Sequence, residues 1–246
     1  MTLYETFPNA PITEAVIEIL VQLSKNITIN DLIKCHDSLK DRFPEVVEQK
    51  LFKAGFQLGK RASTLPSEES TIGYLLKSSQ EKKVVQSRLN GFAFSKLKPY
   101  ENWKRFCAEA NELWKVYREI VNPRKITRIS LRYINRIEVP YPFKDFNEYI
   151  LTNPQIAPNL PQAVSTFFMR LEIPNYDILA KAILIQTMEQ PTQDKKLPLI
   201  LDIDVMRENE YIRNMDDVWA DFESLREFKN EIFFNSITDK TKELFR

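Results

Sequence analysis

The residues whose types and spacing carry chemistry are arginines and carboxylates set in strand-like stretches. Over residues 126–139, Arg128, Arg132 and Arg136 recur at regular intervals. Side chains two apart on a strand share a face, so these arginines emerge together with Ser130 and Glu138. A guanidinium is a planar fork matched to phosphate or carboxylate. In the stretch that aligns with it, Glu14 and Glu18 stand where Arg128 and Arg132 do, and are expected to hold the arginines in place. Arg170 and Glu172 alternate with Met169, Leu171 and Ile173, Lys181 joins from the next stretch, and Asp202 and Asp204 alternate with Leu201, Ile203 and Val205. One sheet face is thus expected to be apolar and helix-covered, the other to carry both signs of charge. The candidate ligand-binding residues are Arg128, Arg132, Arg136, Arg170, Glu14 and Glu18, recognising a protein partner or an anionic small molecule. On that reading Arg132→Ala removes binding while barely changing the melting temperature. The same residues also read as a solvated face laced with ion pairs, each worth ~0.2–1 kcal/mol.

The rival chemistry is metal-dependent. An Asp-x-Asp pair at a strand end binds Mg²⁺ in many sites, and Asp202 and Asp204 with Glu172 as a third oxygen ligand would make a phosphoryl-transfer or nucleic-acid-processing enzyme. No nucleophile motif accompanies the pair, and acids answering the arginines explain it as well. Glu48-Gln-Lys50 has the end of a nuclease motif without the preceding acid. The run Lys96-Leu-Lys-Pro-Tyr100-Glu-Asn-Trp103-Lys-Arg105 mixes cations with aromatics as single-strand nucleic-acid sites do, but Trp103 also opens an apolar helix stripe, and packing is the favoured reading.

Composition excludes other classes. The chain has 246 residues, 43% hydrophobic and 28% charged, as a chain with a sizeable core requires. A net charge of +1 gives no global field toward nucleic acid or membrane. The single histidine, His36, removes most imidazole-based triads and multi-histidine metal sites, and lies on an apolar helix stripe. Cys35 and Cys107 cannot form a disulfide framework and fit a reducing, cytoplasmic setting as small apolar fillers. Only four glycines occur, none in a phosphate-cradling loop. The opening residues lack the pattern of a secretory signal, and no apolar run approaches the ~20 residues of a membrane span.

The positioning elements follow from periodicity. Residues 14–23 alternate as a largely buried strand; Asn30 is expected to cap a helix over 31–43 that Pro44 ends. Strands are expected near 51–58, 71–78 and 83–96, with an exposed loop over 62–70. The clearest helix runs over 101–121, with Trp103, Phe106, Ala110, Leu113, Trp114 and Tyr117 in one stripe, and Asn122-Pro123 breaks it. A second round follows: a strand over 126–139, a short helix over 145–151, strands over 165–173, 178–189 and 197–206, and a helical tail from Met215. Both halves spell strand, helix, three strands, long helix. The expected class is α+β, with duplicated β-α-β-β-β-α units (1–122 and 123–246) fused into an extended, mostly antiparallel sheet backed by two long helices.

Three stretches carry a resemblance: Pro11-Ile-Thr-Glu-Ala-Val-Ile-Glu-Ile, Arg128-Ile-Ser-Leu-Arg-Tyr-Ile-Asn-Arg-Ile and Ile237-Thr-Asp-Lys, with Leu201-Asp-Ile-Asp between the last two. Together they resemble a sporadically distributed, functionally uncharacterised bacterial family of about this length. The resemblance implies a bacterial cytoplasmic protein, carriage on mobile or defence-linked loci such as toxin–antitoxin-like systems, and no catalytic residues. The expectation is a non-catalytic binding protein without a cofactor, the metal enzyme being the alternative; a homodimer through exposed edge strands is a third possibility.

Overall fold

A computed structural model describes residues 4–53, 68–211 and 215–246. Its centre is one antiparallel sheet of nine strands in the order β2-β3-β4-β5-β1-β6-β9-β8-β7. In chain order these are β1 Ile12–Gln22, β2 Glu45–Lys53, β3 Glu68–Ser78, β4 Lys83–Arg88, β5 Gly91–Leu97, β6 Lys125–Pro140, β7 Phe168–Asn175, β8 Ala180–Met188 and β9 Lys196–Tyr211. The helices are α1 Ile29–Leu32, α2 Lys34–Leu39, α3 Trp103–Val121, α4 Val218–Ser236 and α5 Asp239–Glu243. β1 and β6 pair at the middle; on either side the next strand is the last of its half, β5 or β9, and a long helix follows it.

Alternation decides which face of the sheet is covered. Ala15, Ile17 and Ile19 of β1, Ile129, Leu131 and Tyr133 of β6, and Leu201, Ile203 and Val205 of β9 are buried on one side. α3 lies there with Trp114 against Phe92 and Phe106 against Phe94 and Tyr133, and Lys229 of α4 sits over Tyr133. All five helices gather on this side, so among the described residues the opposite face carries none. α3 starts where the Asn102 side chain accepts from the Arg105 N–H at 3.0 Å. It ends where Asn122 turns left-handed at φ 40° and its N–H donates to Arg118 O.

Several elements differ from expectation for identifiable reasons. Residues 83–96 are two strands, because Leu89-Asn90 turns the chain and Arg88 opposes Gly91; with β2 beginning at Glu45, the first half carries four strands after its first helices. The expected helix over 31–43 starts earlier, capped by Thr28, whose N–H donates to Asp31 at 3.0 Å. It is also divided at Ile33, whose carbonyl takes the His36 N–H three residues on, a tightened turn. The helix expected over 145–151 is a single 3-10 turn, Phe146–Glu148. The tail is α4 and then α5, separated where Ile237 bridges Ile150 and Thr238 caps α5 through the Thr241 N–H. Residues 54–58 of one expected strand and most of the loop expected over 62–70 lie outside the described residues.

Candidate functional site

β1, β6 and β9 are consecutive in the sheet, and they carry Pro11–Ile19, Arg128–Ile137 and Leu201–Asp204 or most of each. Glu14, Glu18, Arg128, Ser130, Arg132, Asp202 and Asp204 emerge on the helix-free face, whereas Asn135 and Arg207 lie on the helix side, Asn135 bonding Leu201 O and Arg207 pairing with Asp221 of α4. Register sets Glu18 opposite Ser130, Arg132 opposite Asp204, and Ile134 between Glu14 and Asp202.

Glu18 stands between two guanidiniums. Arg88 Nη2 donates to one carboxylate oxygen and Arg128 Nη2 to the other, each at 2.5 Å. Burial alone would raise the Glu18 carboxyl, but the two arginines outweigh it and hold it below the usual range. Arg88 did not figure among the expected residues. It reaches Glu18 because the β5 positions between them, Gly91 and Ala93, have little or no side chain to obstruct it. Glu14 bonds none of the arginines; its charge acts on Arg132 at longer range.

Arg132 grips Asp202 in both places, Nε to Oδ1 at 2.9 Å and Nη2 to Oδ2 at 2.6 Å. That bidentate fork is the strongest geometry an arginine offers a carboxylate. It also passes over the residue directly opposite, Asp204, whose Oδ1 is buried and receives no hydrogen bond among the described residues. Desolvation pushes the Asp204 carboxyl up to about 6 despite the nearby Arg132. Arg88 Nε and Arg128 Nε are likewise buried without an acceptor among the described residues.

The remaining expected residues lie farther out. Arg136 bonds Glu138 and, at 3.0 Å, Glu189, while Glu138 takes Lys196. Arg170 is on the terminal strand β7, 4.0 Å from Glu172, which Lys181 holds at 3.2 Å. The structure therefore gathers Glu14, Glu18, Arg128, Arg132, Asp202 and Asp204 at the sheet centre and leaves Arg136 and Arg170 apart. Asp202, Asp204 and Glu172 do not fit a shared Mg²⁺: Ile183 stands between Asp204 and Glu172, and both oxygens of Asp202 are taken. Among the described residues no three His, Cys, Asp or Glu side chains are placed to hold a metal ion.

A separate cleft of about 350 Å³ lies at the start of α3, lined by Arg42, Lys83, Lys96, Tyr100, Arg105 and Glu109 among others. Arg42 and Lys83 both bond Glu109, and Arg105 pairs with Glu101, so its cations are locally answered. Trp103 does not offer a free stacking surface: its Nε1–H donates to Glu223, and Arg226 stacks on its ring, tying α3 to α4.

Asp204 yields a test of the central geometry. An aspartate whose folded value is about 6 and whose unfolded value is about 3.9 destabilises the fold once ionised. The cost is full above about pH 6, shrinks as the pH falls, and is gone below about pH 4. Asp204→Asn should therefore stabilise the protein by ~1–3 kcal/mol at neutral pH and by almost nothing in acid. Urea unfolding of both proteins across that range checks it; an equal effect at every pH refutes the assignment.

Among the described residues no helix is long and apolar enough to cross a membrane. Compared with protein-family models the chain matches none, and no curated protein matches it.

Proposed function

We infer that this is a non-catalytic binding protein that takes a protein partner over the helix-free sheet face, at the cluster of Glu18, Arg88, Arg128, Arg132, Asp202 and Asp204. The observation that carries this reading is that Arg128, Arg132 and Arg136, three of the four arginines expected to meet a free anion, each already bond a carboxylate. A small anion would have to displace one of those carboxylates. A protein surface instead meets a pre-ordered pattern of both signs, with Val16, Leu20, Ile134, Ile183 and Met206 between them on the same face. Interfaces are enriched in arginine and methionine, and paired charges give specificity and register.

The test starts from the natively purified protein, whose co-purifying partner is identified by mass spectrometry and bound again as a pure component. Binding that disappears when Arg132 and Asp202 are replaced together supports the reading; binding that survives overturns it. Thermal-shift titrations with Mg²⁺ and with inorganic phosphate address the rival metal-dependent enzyme and the anionic ligand. A saturable rise in melting temperature with either one would replace the protein-partner reading.

The mirrored strand order about β1 and β6 supports a duplication of residues 1–122 and 123–246, with β2 an addition to the first half. Kinship with the sporadically distributed bacterial family, a cytoplasmic setting and a role in a mobile defence or toxin–antitoxin-like system complete the proposal. What supports the kinship is that three of its four motif stretches meet on neighbouring strands, while the fourth, Ile237-Thr-Asp-Lys, opens α5. A second copy of the chain is a further partner that the sheet edges admit.

A further inference from the structure

The two edges of the sheet are unlike. β2 is interrupted by a register shift between Gln49 and Lys50, the kind of irregularity that spoils pairing with another strand. β7 pairs with β8 in unbroken register from Phe168 to Asn175 and, among the described residues, leans substantially on no other element. Its surroundings are unusually apolar for an open edge: Phe168 is 69% exposed, and Tyr176 and Leu179 in the following turn are 81% and 78% exposed.

The order of residues on β7 is self-complementary. Two copies laid antiparallel about a two-fold axis through Leu171 set Leu171 against its own copy. They set Arg170 against Glu172 on one side of that point and Glu172 against Arg170 on the other. Directly opposed residues share a face, so both charge pairs form on the helix-free side. The next pairs in the same register are Met169 with Ile173, apolar on the other side, and Phe168 with Pro174. Among the described residues Arg170 has only a contact at 4.0 Å, and its side chain is 48% exposed, so it is available to a partner.

Backbone parity agrees. Pro174 opposes Lys181 and has no N–H, and a proline within a sheet is placed where that group would face away from its neighbour. Residues of the same parity, Arg170 and Glu172, then point their N–H and C=O groups outward. They are the positions that must exchange hydrogen bonds in the register centred on Leu171.

We propose that β7 is a homodimerisation edge, on which two copies pair antiparallel through residues 168–174 with Arg170 opposite Glu172 of the other copy. The two sheets become one, with both helix-free faces on the same side. A strand that carries the same sign at both positions meets a like charge at one of them, and a neutral strand gains neither pair, so the edge favours its own copy.

Sedimentation velocity of the full chain tests this. The wild type should dimerise in the micromolar range, as a small edge interface allows. Arg170→Glu gives an all-acidic edge and Glu172→Arg an all-basic one, and each alone should weaken self-association at least about tenfold. Mixed, they should form a heterodimer at least as tight as the wild type, since every opposed pair is again of opposite sign. A measurement without variants runs beside it: the Arg170 and Glu172 amides should exchange hydrogen more slowly as wild-type concentration rises. A monomer up to about 1 mM, a dimer indifferent to both reversals, a mixture that does not associate, or exchange independent of concentration each overturns the proposal.

Discussion

Lys229→Met should stabilise the protein by about 2–4 kcal/mol near pH 6.5, with the gain fading to nothing by about pH 10.5. For a chain of this length that is a rise in melting temperature of roughly 5–15 °C. Lys229 lies on α4 with its ammonium 4.1 Å from the centre of the Tyr133 ring. Around that ring are the Tyr100 hydroxyl, 2.8 Å from that of Tyr133, and the Arg226 guanidinium; among the described residues no carboxylate pairs with Lys229. Loss of water and, secondarily, repulsion from Arg226 pull the lysine down to about 7. Burial pushes Tyr133, Tyr100 and the nearby Cys107 thiol up, Cys107 to about 11, so none of them supplies an anion at neutral pH. The sign follows: a lysine lowered in the folded state carries its full cost below about pH 7. That cost shrinks as the pH climbs toward the ordinary value of about 10.4. The full shift exceeds the quoted gain because Lys229 keeps partial access to solvent and because the cation–π contact, worth ~0.5–2 kcal/mol, is lost with the charge. Denaturant unfolding of both proteins at three or four pH values decides it. A variant less stable than wild type at pH 6.5, or a gain that does not depend on pH, sinks the account.

Arg132→Ala should lower stability by about 2–4 kcal/mol, whereas Arg132→Met combined with Asp202→Leu should stay within about 1 kcal/mol of wild type. The expectation from sequence was a binding defect with the melting temperature barely changed, and the geometry corrects the second half of it. The Asp202 side chain is only 9% exposed, so removing its bidentate partner leaves a carboxylate nearly out of water. Arg132 itself is 44% exposed, which keeps the loss toward the lower end of the range found for breaking buried pairs. Replacing both partners with apolar residues removes the stranded charge together with the fork. The double variant therefore separates folding from recognition, and it should fold well and fail to bind. If it folds and the partner binds unchanged, the Arg132–Asp202 pair takes no part in recognition. Arg132→Lys should lie between, since an ammonium cannot reproduce two parallel N–H···O bonds.

Much of this was legible in the chain. Alternation over residues 126–139 placed Arg128, Arg132 and Arg136 on one side of a strand, because side-chain direction on a strand depends on parity alone. The stripe over 101–121 likewise announced α3. Some signals were present and underused: Asn90-Gly91 inside a strand-like run is a hairpin signature. Lys229 occupies the helical stripe of Phe222, Leu225 and Phe233, where a charge is partly desolvated.

What parity and periodicity cannot reach is which strands become neighbours and where long side chains end. Arg88 meets Glu18 only because β4, β5 and β1 lie side by side with small residues between them. Arg132 bypasses the carboxylate opposite it for one a step along β9, which leaves Asp204 Oδ1 without a donor among the described residues; the outcome depends on the reach of a fork across strands distant in sequence. The amino-acid order thus determined the local elements and the sign pattern on each strand. Strand neighbourship, set by burial of the whole apolar face at once, decided which charges are answered, which is stranded, and which edge stays open to a second copy.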